Sequence, residues 1–513
     1  VRIEDHLHQS ACRFGSKTAL IAGDTSLTFA ELDQLSDRLA AGLIALGIAE
    51  GDRVLMVVEN SAEAVIAFFA VWKARAVPCP LHASIKQDKL RVIIDGTTPF
   101  AIMVQARFVP VVEASFSRGT DCAPAKILLG GLPANAADGW IACDEMASRE
   151  GGPLSPNSRS DEALALLIHT SGSTGTPKGV MHSHASLLFA CASIIDYLEN
   201  TADDVVLSVL PISFGYGITQ ILTMVMVGGT LVLDKSFAFP RRTLQRLAEV
   251  KATGFPLVPP MAALITGMQD LQPGFLPDLR YITSAAAAMP PAVSARLRML
   301  LPDAGLLLMY GQTECIRATY LPAEEADRRP LSVGRAIPGT SALVIDEEGR
   351  AMPPGGIGEL VVEGPHVMSG YWGDELVSAS KLSPVTCGRR LFTGDLFRAD
   401  DEGFLHFVSR RDDIIKTRGE KVSPQEVERV LYALPGIREA AVAGIDDPVF
   451  GQLIRAYVAL EPGAALSEKD ILRHCATNLE DYMVPKSVEF RDALPKTSTG
   501  KIRLNAEIED NVA

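Results

Sequence analysis

Residues 170–179, TSGSTGTPKG, combine three glycines, a cluster of hydroxyl side chains and a lysine. Glycine lets the backbone turn its N–H groups inward, hydroxyls add donors and Lys178 adds charge. Thr170, Ser171, Gly172, Ser173, Thr174, Gly175 and Lys178 together therefore suit a polyphosphate. Pro177 before the lysine and Gly179 after it separate this segment from a Walker A loop, which needs glycine and then Ser or Thr at those places. A flexible Ser/Gly connector has the same composition. The run 310–314, YGQTE, offers an aromatic face (Tyr310), a glycine (Gly311), two polar side chains (Gln312, Thr313) and a carboxylate (Glu314). Those groups fit a purine ring and a hard cation, although most glutamates are simply solvated. In TGD (393–395), Asp395 is short enough to take both hydroxyls of a ribose, or it belongs to an ordinary turn. In PKTSTGKI (495–502), Lys501 is a cation on a polar loop, which by itself means no more than solvation.

These segments need elements to hold them. Thr28 and Glu31 form a capping-box pattern, and Leu32, Leu35, Leu39, Leu43 and Leu46 recur at helical spacing until Gly47. A β-branched run follows at 53–58, and Asn60 with Glu63 predicts a second capped helix through Phe68, Phe69 and Trp72. Strand and helix alternate, so a parallel sheet covered on both faces is expected. Apolar strands are predicted at 163–168 and 306–309, each directly before one of the motifs. The stretch 148–161 is rich in Ser, Pro and Gly and predicts a loop between two lobes. From 332 to 408 the texture turns to short β segments, such as 342–345 and 359–362, and predicts a small β-rich subdomain. After Ser409 and the charged run Arg410–Asp413, Ser423, Pro424 and Glu426 predict a capped helix with an apolar face of Val427, Val430, Leu431 and Leu434, and Ser467 with Asp470 repeats the device.

Taken in this order, the four motifs resemble the AMP-forming acyl- and aryl-CoA ligase family, which includes luciferases and the adenylation domains of peptide synthetases. The resemblance runs from about Thr28 to Lys501. It implies an α/β fold. A large N-terminal region, 1–408, would carry doubly wound sheets and the β-rich subdomain, with lobes near 1–160, 161–331 and 332–408. A small mobile α+β domain, 409–513, would follow. It implies ATP, Mg²⁺ and CoA as the small-molecule requirements. The carboxylic acid becomes an acyl-adenylate with release of pyrophosphate, and its acyl group then passes to the CoA thiol. The alternative is a stand-alone enzyme loading the phosphopantetheine of a separate carrier protein.

Residue by residue, the resemblance gives the 170–179 loop the β- and γ-phosphates, Tyr310 the adenine, Thr313 the α-phosphate, Glu314 the Mg²⁺ and Asp395 the ribose. Arg410 contacts the nucleotide, Asp412 is the hinge, Lys501 serves adenylation, and Gly419 and Lys421 line the thiol tunnel. LPISFGYG (210–217) resembles the acid-pocket motif, with Phe214 at the gate. Gly215 stands where amino-acid-activating relatives carry an aspartate, and a buried ammonium without a partner is costly, which favours a plain carboxylic acid. YITSAAAAM (281–289) resembles the Ser/Gly-rich adenine-side segment, with Ala285 and Ala286 at the pocket.

Composition narrows the partners. The 513 residues are 47% hydrophobic and 21% charged, in the range of a folded globular protein of about three units by the usual 100–200 residues per domain. A net charge of −14 argues against nucleic acid and anionic membrane. The most apolar stretch, 218–233, is broken by Gly228 and Gly229 and reads as helix, turn and buried strand rather than a span. Eight scattered cysteines without a C-x-x-C pair fit the reducing cytoplasm, and His169 is expected to pack rather than bind metal. A homodimer is compatible with all of this.

Overall fold

The computed structural model describes residues 1–116, 124–130, 139–147, 160–171, 177–411, 413–417, 420–447 and 451–496. Contacts divide the chain into two compact units. The first comprises Val1–Pro330, Ala336–Ala342 and Val362–Leu391, and the second Leu331–Arg335, Leu343–Val361 and the described part of Phe392–Ala513.

The first unit is built on parallel sheets, as the alternation of strand and helix predicts. One sheet has the order Val77–Leu81, Arg53–Val57, Ala101–Gln105, Ala125–Leu129, Trp140–Ala142, all parallel. Val54, Leu55, Met56 and Val57 are each 0% exposed, the pattern of a strand covered on both faces. The larger sheet runs Thr319–Leu321, Gly305–Tyr310, Tyr281–Ser284, Gly254–Leu257, Val205–Ser208, Thr230–Leu233, Thr18–Ala22, Thr25–Thr28, parallel except at the Thr319–Leu321 and Thr25–Thr28 strands. The stretch 218–233 is indeed helix, turn and strand: Gly228 ends the helix Gly215–Val227 in the left-handed conformation before Thr230–Leu233. No helix among the described residues is long and apolar enough to cross a membrane.

Helix starts separate local from long-range determinants. The capping box of Thr28 and Glu31 forms and opens the helix Phe29–Ala45. At the next helix, Ala62–Lys73, the cap is Ser61, whose hydroxyl accepts from the Ala64 N–H. Asn60, expected as that cap, instead donates to the carbonyls of Leu210 and Asp234 and accepts from the Ile212 N–H, tying the two sheets together. Inside this helix Trp72 is fully buried and donates to the Ala165 carbonyl at 2.7 Å, so its one polar atom is satisfied.

The second unit has its own core. Its C-terminal sheet has the order Glu420–Val422, Ile415–Thr417, Gly451–Leu460, Ile437–Asp447, and Ser487–Phe490 pairs in parallel with Gly451–Leu460. The helices Pro424–Tyr432 and Glu468–Asn478 supply Val427, Leu431, Ile471 and Cys475 to the apolar cluster. Ser467 and Asp470 form the expected capping box. Ser423 does not: its hydroxyl donates to the Val408 carbonyl at 2.6 Å and leaves the helix start without a side-chain cap.

Candidate active site

In the first unit the parallel strands Gly254–Leu257, Tyr281–Ser284 and Gly305–Tyr310 bring their carboxyl ends to one edge, where open α/β sheets place their ligands. The YGQTE motif begins at the last residue of Gly305–Tyr310 and turns back at once. Tyr310 pairs with Thr319, and the Ala318 N–H donates to the Tyr310 carbonyl at 2.9 Å. A Cβ on Gly311 would lie 2.8 Å from the Ile316 carbonyl oxygen and 3.0 Å from Arg317 Cα, so the reversal needs glycine there. Gln312 and Thr313 fill the turn, each partly exposed.

Two residues that sequence motifs do not reveal fix this turn. His182 is buried and donates from Nε2 to the Thr313 carbonyl at 2.7 Å. Burial pushes its pKa down to about 4, so the ring is neutral at physiological pH and acts as a fixed donor. Tyr371 donates its hydroxyl to Glu314 Oε1 at 2.8 Å. Burial, followed by the Glu314 carboxylate, pushes that hydroxyl up and keeps it protonated. The Lys178 ammonium lies 5.6 Å from the centre of the Tyr371 ring. Tyr371 thus joins the motif lysine to the motif carboxylate. Its neighbours Gly370–Tyr371 pair with the strand Pro177–Ser183, and the Met368 N–H donates to the Glu314 carbonyl. No periodicity links Tyr371 to Glu314; only its place after a glycine in the β-rich texture sets it apart.

The phosphate-loop candidate sits on a hairpin rather than between a strand and a helix. Leu164–Ser171 pairs antiparallel with Pro177–Ser183, with Thr170 opposite Lys178 and Ser171 opposite Pro177. Gly172, Ser173, Thr174 and Gly175 lie outside the described residues. His169 is largely buried near Gly179, and burial holds its pKa down to about 4. Among the described residues no group of three or more His, Cys, Asp or Glu converges on a point.

The acid-pocket candidates lie at a helix start, Phe214 and Gly215, and just past a strand end, Ala285 and Ala286. Phe214 stands at the cap of the helix Gly215–Val227 and stacks on His82 with centroids 5.4 Å apart. A Cβ on Gly215 would meet Ile316 Cδ1 at 3.0 Å. Ile316 itself has φ +58°, a left-handed conformation that costs a β-branched residue about 1–2 kcal/mol. Ala285 is buried after the strand Tyr281–Ser284, and Ala286 follows at φ +77°, also left-handed. Tyr216, next to Gly215, shares a 2.7 Å hydrogen bond with the Thr283 hydroxyl.

In the second unit Asp395 is not in a turn. It lies within the strand Arg389–Ala399, directly opposite Arg410 of Leu405–Arg410. The Arg410 Nε is 3.7 Å from Asp395 Oδ1, with the carboxylate buried and the guanidinium exposed. The Asp395 N–H donates to the Thr393 hydroxyl, which donates to the Leu360 carbonyl at 2.7 Å. Gly394, at φ +74°, donates its N–H to Glu359. Lys421 is in the strand Glu420–Val422, opposite Lys416. Asp412, Gly419 and Lys501 lie outside the described residues.

This geometry has counterparts among known proteins. Residues 7–372 match the family described as AMP-binding enzyme, and residues 426–501 match the AMP-binding enzyme C-terminal domain. The indoleacetate–CoA ligase of Aromatoleum aromaticum is 31% identical over 491 residues, spanning 95% of this chain and 94% of that protein. ATP-bound MatB from Rhodopseudomonas palustris has a similar structure, with a TM-score of 0.88 at 28% identity, covering 98% of this chain and 97% of the other. The o-succinylbenzoate CoA synthetase of Bacillus subtilis, in complex with its acyl-adenylate intermediate, gives a TM-score of 0.84 at 26% identity over 97% and 96%. Similarity of sequence and of structure over nearly the full length, with a glutamate and a lysine meeting across one tyrosine at the strand ends, makes this chain a member of the AMP-binding enzyme family, an AMP-forming acid–thiol ligase of the acyl-CoA synthetase type.

Proposed function

We propose that the chain activates a carboxylic acid lacking a free α-ammonium and transfers it to CoA, with the residues above in the following roles. The observation that carries this is the Lys178–Tyr371–Glu314 arrangement beside Thr313. Attack of a carboxylate on the α-phosphorus of ATP brings two anions together; a P–O bond forms, the bond to pyrophosphate breaks, and no protein nucleophile is required. Cations and positioned donors lower that barrier. Lys178 with Thr170, Ser171, Gly172, Ser173, Thr174 and Gly175 holds the β- and γ-phosphates. Tyr310, with Gly311 and Gln312, faces the adenine, and Thr313 faces the α-phosphate. Asp395 and Arg410 take the ribose side of the nucleotide.

Glu314 suits Mg²⁺. Its carboxylate would hold the cation through hard oxygen donors of the kind Mg²⁺ takes. When bound, Mg²⁺ supplies positive charge that neutralises the phosphates. Tyr371 holds one carboxylate oxygen of Glu314 in place.

Phe214, Gly215, Ala285 and Ala286 bound the acid. Gly215 brings no carboxylate to that position for an ammonium, and a Cβ there would meet Ile316 Cδ1 at 3.0 Å, a tight contact. CoA as acceptor, rather than a carrier protein, is supported by relatives named as CoA ligases. Gly419 and Lys421 flank the thiol's approach. We place the enzyme in the cytoplasm, a reading supported by eight scattered cysteines without a C-x-x-C pair.

Lys501 is the cation of the adenylation step: it is compact and can reach both carboxylate and α-phosphate oxygens. Lys501→Ala is expected to leave ATP binding near the wild-type level while acyl-adenylate formation falls by roughly 100-fold or more, as for loss of a transition-state donor. The measurement is pyrophosphate release across aryl and short- to long-chain acids, with and without CoA, next to ATP binding by calorimetry. Wild-type rates of adenylation in the variant would remove Lys501 from the chemistry. Thioester formation that needs no added CoA would return the carrier protein to consideration.

A further inference from the structure

The turn that carries Glu314 also carries a cation that none of the roles above uses. Arg317 is 3% exposed, and its Nε has no hydrogen-bond partner. Among the described residues its guanidinium makes no hydrogen bond and no ion pair; its contact is with the face of the Tyr216 ring, 4.9 Å from the centroid. A guanidinium this deeply buried, with a partnerless Nε and a ring face beside it, is under-compensated, because a buried charge demands an opposite charge or several acceptors.

Its surroundings place it on the acid side of the turn. Thr313 and Glu314 contact His182 and Tyr371, on the strand pair that bears Lys178. Arg317 instead contacts Tyr216, one residue beyond Gly215 and hydrogen-bonded to Thr283 on the strand that leads into Ala285. Ile316, between Glu314 and Arg317, is the residue against which Gly215 packs. Burial raises the pKa of the Tyr216, Tyr197 and Cys191 side chains, and the Arg317 charge pulls each partly back, so none of them supplies an anion to the guanidinium at physiological pH. This side of the turn therefore holds an uncompensated cation over an aromatic ring whose hydroxyl is bonded to a threonine, next to the acid-pocket candidates Gly215 and Ala285.

We propose that Arg317 is a specificity-determining residue that pairs with a second carboxylate at the far end of the acid, so that the substrate is a dicarboxylic acid activated at one end only. This rests on the ligase function proposed above and narrows its substrate class. A guanidinium takes a carboxylate through two parallel hydrogen bonds, and the Tyr216 ring 4.9 Å away supports the group in place. An acid with a neutral far end leaves the buried charge unpaired and is rejected for that reason.

The test compares straight-chain dicarboxylic acids of graded length with the monomethyl ester of each, using wild type, Arg317→Met and Arg317→Lys. Pyrophosphate release gives kcat/KM, and calorimetry gives acid binding independently of turnover. Wild type is expected to favour the diacid of best length over its half-ester by about 100-fold or more. Arg317→Met is expected to abolish that preference while the KM for ATP stays unchanged, and Arg317→Lys to keep part of it. Without acid, Arg317→Met is expected to melt at a higher temperature than wild type, since the unpaired buried charge is gone, an outcome that a purely structural arginine would not give. Equal use of diacid and half-ester by wild type overturns the assignment. So does a Met variant that keeps the preference, or one that slows both acids equally, which would tie Arg317 to the reacting carboxylate or the nucleotide. If no acid releases pyrophosphate but calorimetry shows diacid binding that Arg317→Met abolishes, the ligase function falls and the Arg317 assignment stands.

Discussion

Tyr371 does two things with one side chain: its ring lies under the Lys178 ammonium and its hydroxyl donates to Glu314. Because burial and the adjacent carboxylate keep the hydroxyl protonated, the donor role does not switch off anywhere near neutral pH. Tyr371→Phe separates the two functions, since it keeps the ring and removes the donor. A hydrogen bond to a charged acceptor is worth about 1.5–3 kcal/mol, so kcat/KM for Mg·ATP is expected to fall by roughly 10- to 100-fold while the melting temperature barely moves. Pyrophosphate release at varied Mg·ATP measures this, and a wild-type value would mean that Glu314 needs no help to hold its place. The left-handed Ile316, which Gly215 approaches, and Ala286, which follows Ala285, are further residue-scale features. Strain of this kind persists only where surrounding structure enforces it, and here the enforcing contacts are Gly311 beneath Ile316 and the strand end before Ala286.

At the scale of elements, the helix Pro424–Tyr432 packs on the strand Ile437–Asp447 through a partly buried acid. Glu428 accepts the Val442 N–H at 2.9 Å, and burial raises its pKa from an ordinary 4.5 to about 7, with Asp413 adding to the rise. The native state therefore holds this proton where the unfolded chain has lost it. The stabilising effect is complete below pH 4.5 and is lost as pH rises through about 7, amounting to roughly 3 kcal/mol at most. Glu428→Gln keeps an acceptor for Val442 and has no proton to lose. Denaturant unfolding between about pH 5 and 8 is expected to show the wild type weakening relative to the variant, and parallel curves would place the titration elsewhere. Elements also show what was legible in the chain. The boxes Thr28–Glu31 and Ser467–Asp470 close within one helical turn, so four residues determine them. Asn60 and Ser423 have the same chemistry but are drawn to carbonyls of distant segments, which local spacing cannot foresee. In the site, Glu314 and Lys178 stand within recognisable motifs, whereas Tyr371 and His182, which hold them together, are supplied by the tertiary fold.

For the whole molecule, the question is how one chain serves two reactions that need different groups near the same acyl carbon. By resemblance, Lys501 acts in adenylation and Gly419 and Lys421 in thiol transfer, all of them in the region 409–513. That region follows the strand Leu405–Arg410 through the charged run at 410–413. The backbone on either side of position 412 is pinned: the Arg411 N–H donates to the Gly394 carbonyl, and the Asp413 N–H to the Arg410 carbonyl. Position 412, between these held residues, is where the family resemblance puts the hinge. Proline there fixes φ near −65° and restricts the preceding residue as well, so a swing that needs a different φ is blocked. If the domain moves between the two half-reactions, Asp412→Pro is expected to leave adenylate formation within about 3-fold of wild type and to slow thioester formation by 10-fold or more, since gating motions of this kind set one step and not the other. Single-turnover measurements resolve the two: pyrophosphate burst for the first, acyl-CoA appearance from preformed adenylate for the second. Equal slowing of both would show that one arrangement of the chain serves the entire reaction and that 409–513 stays where it is.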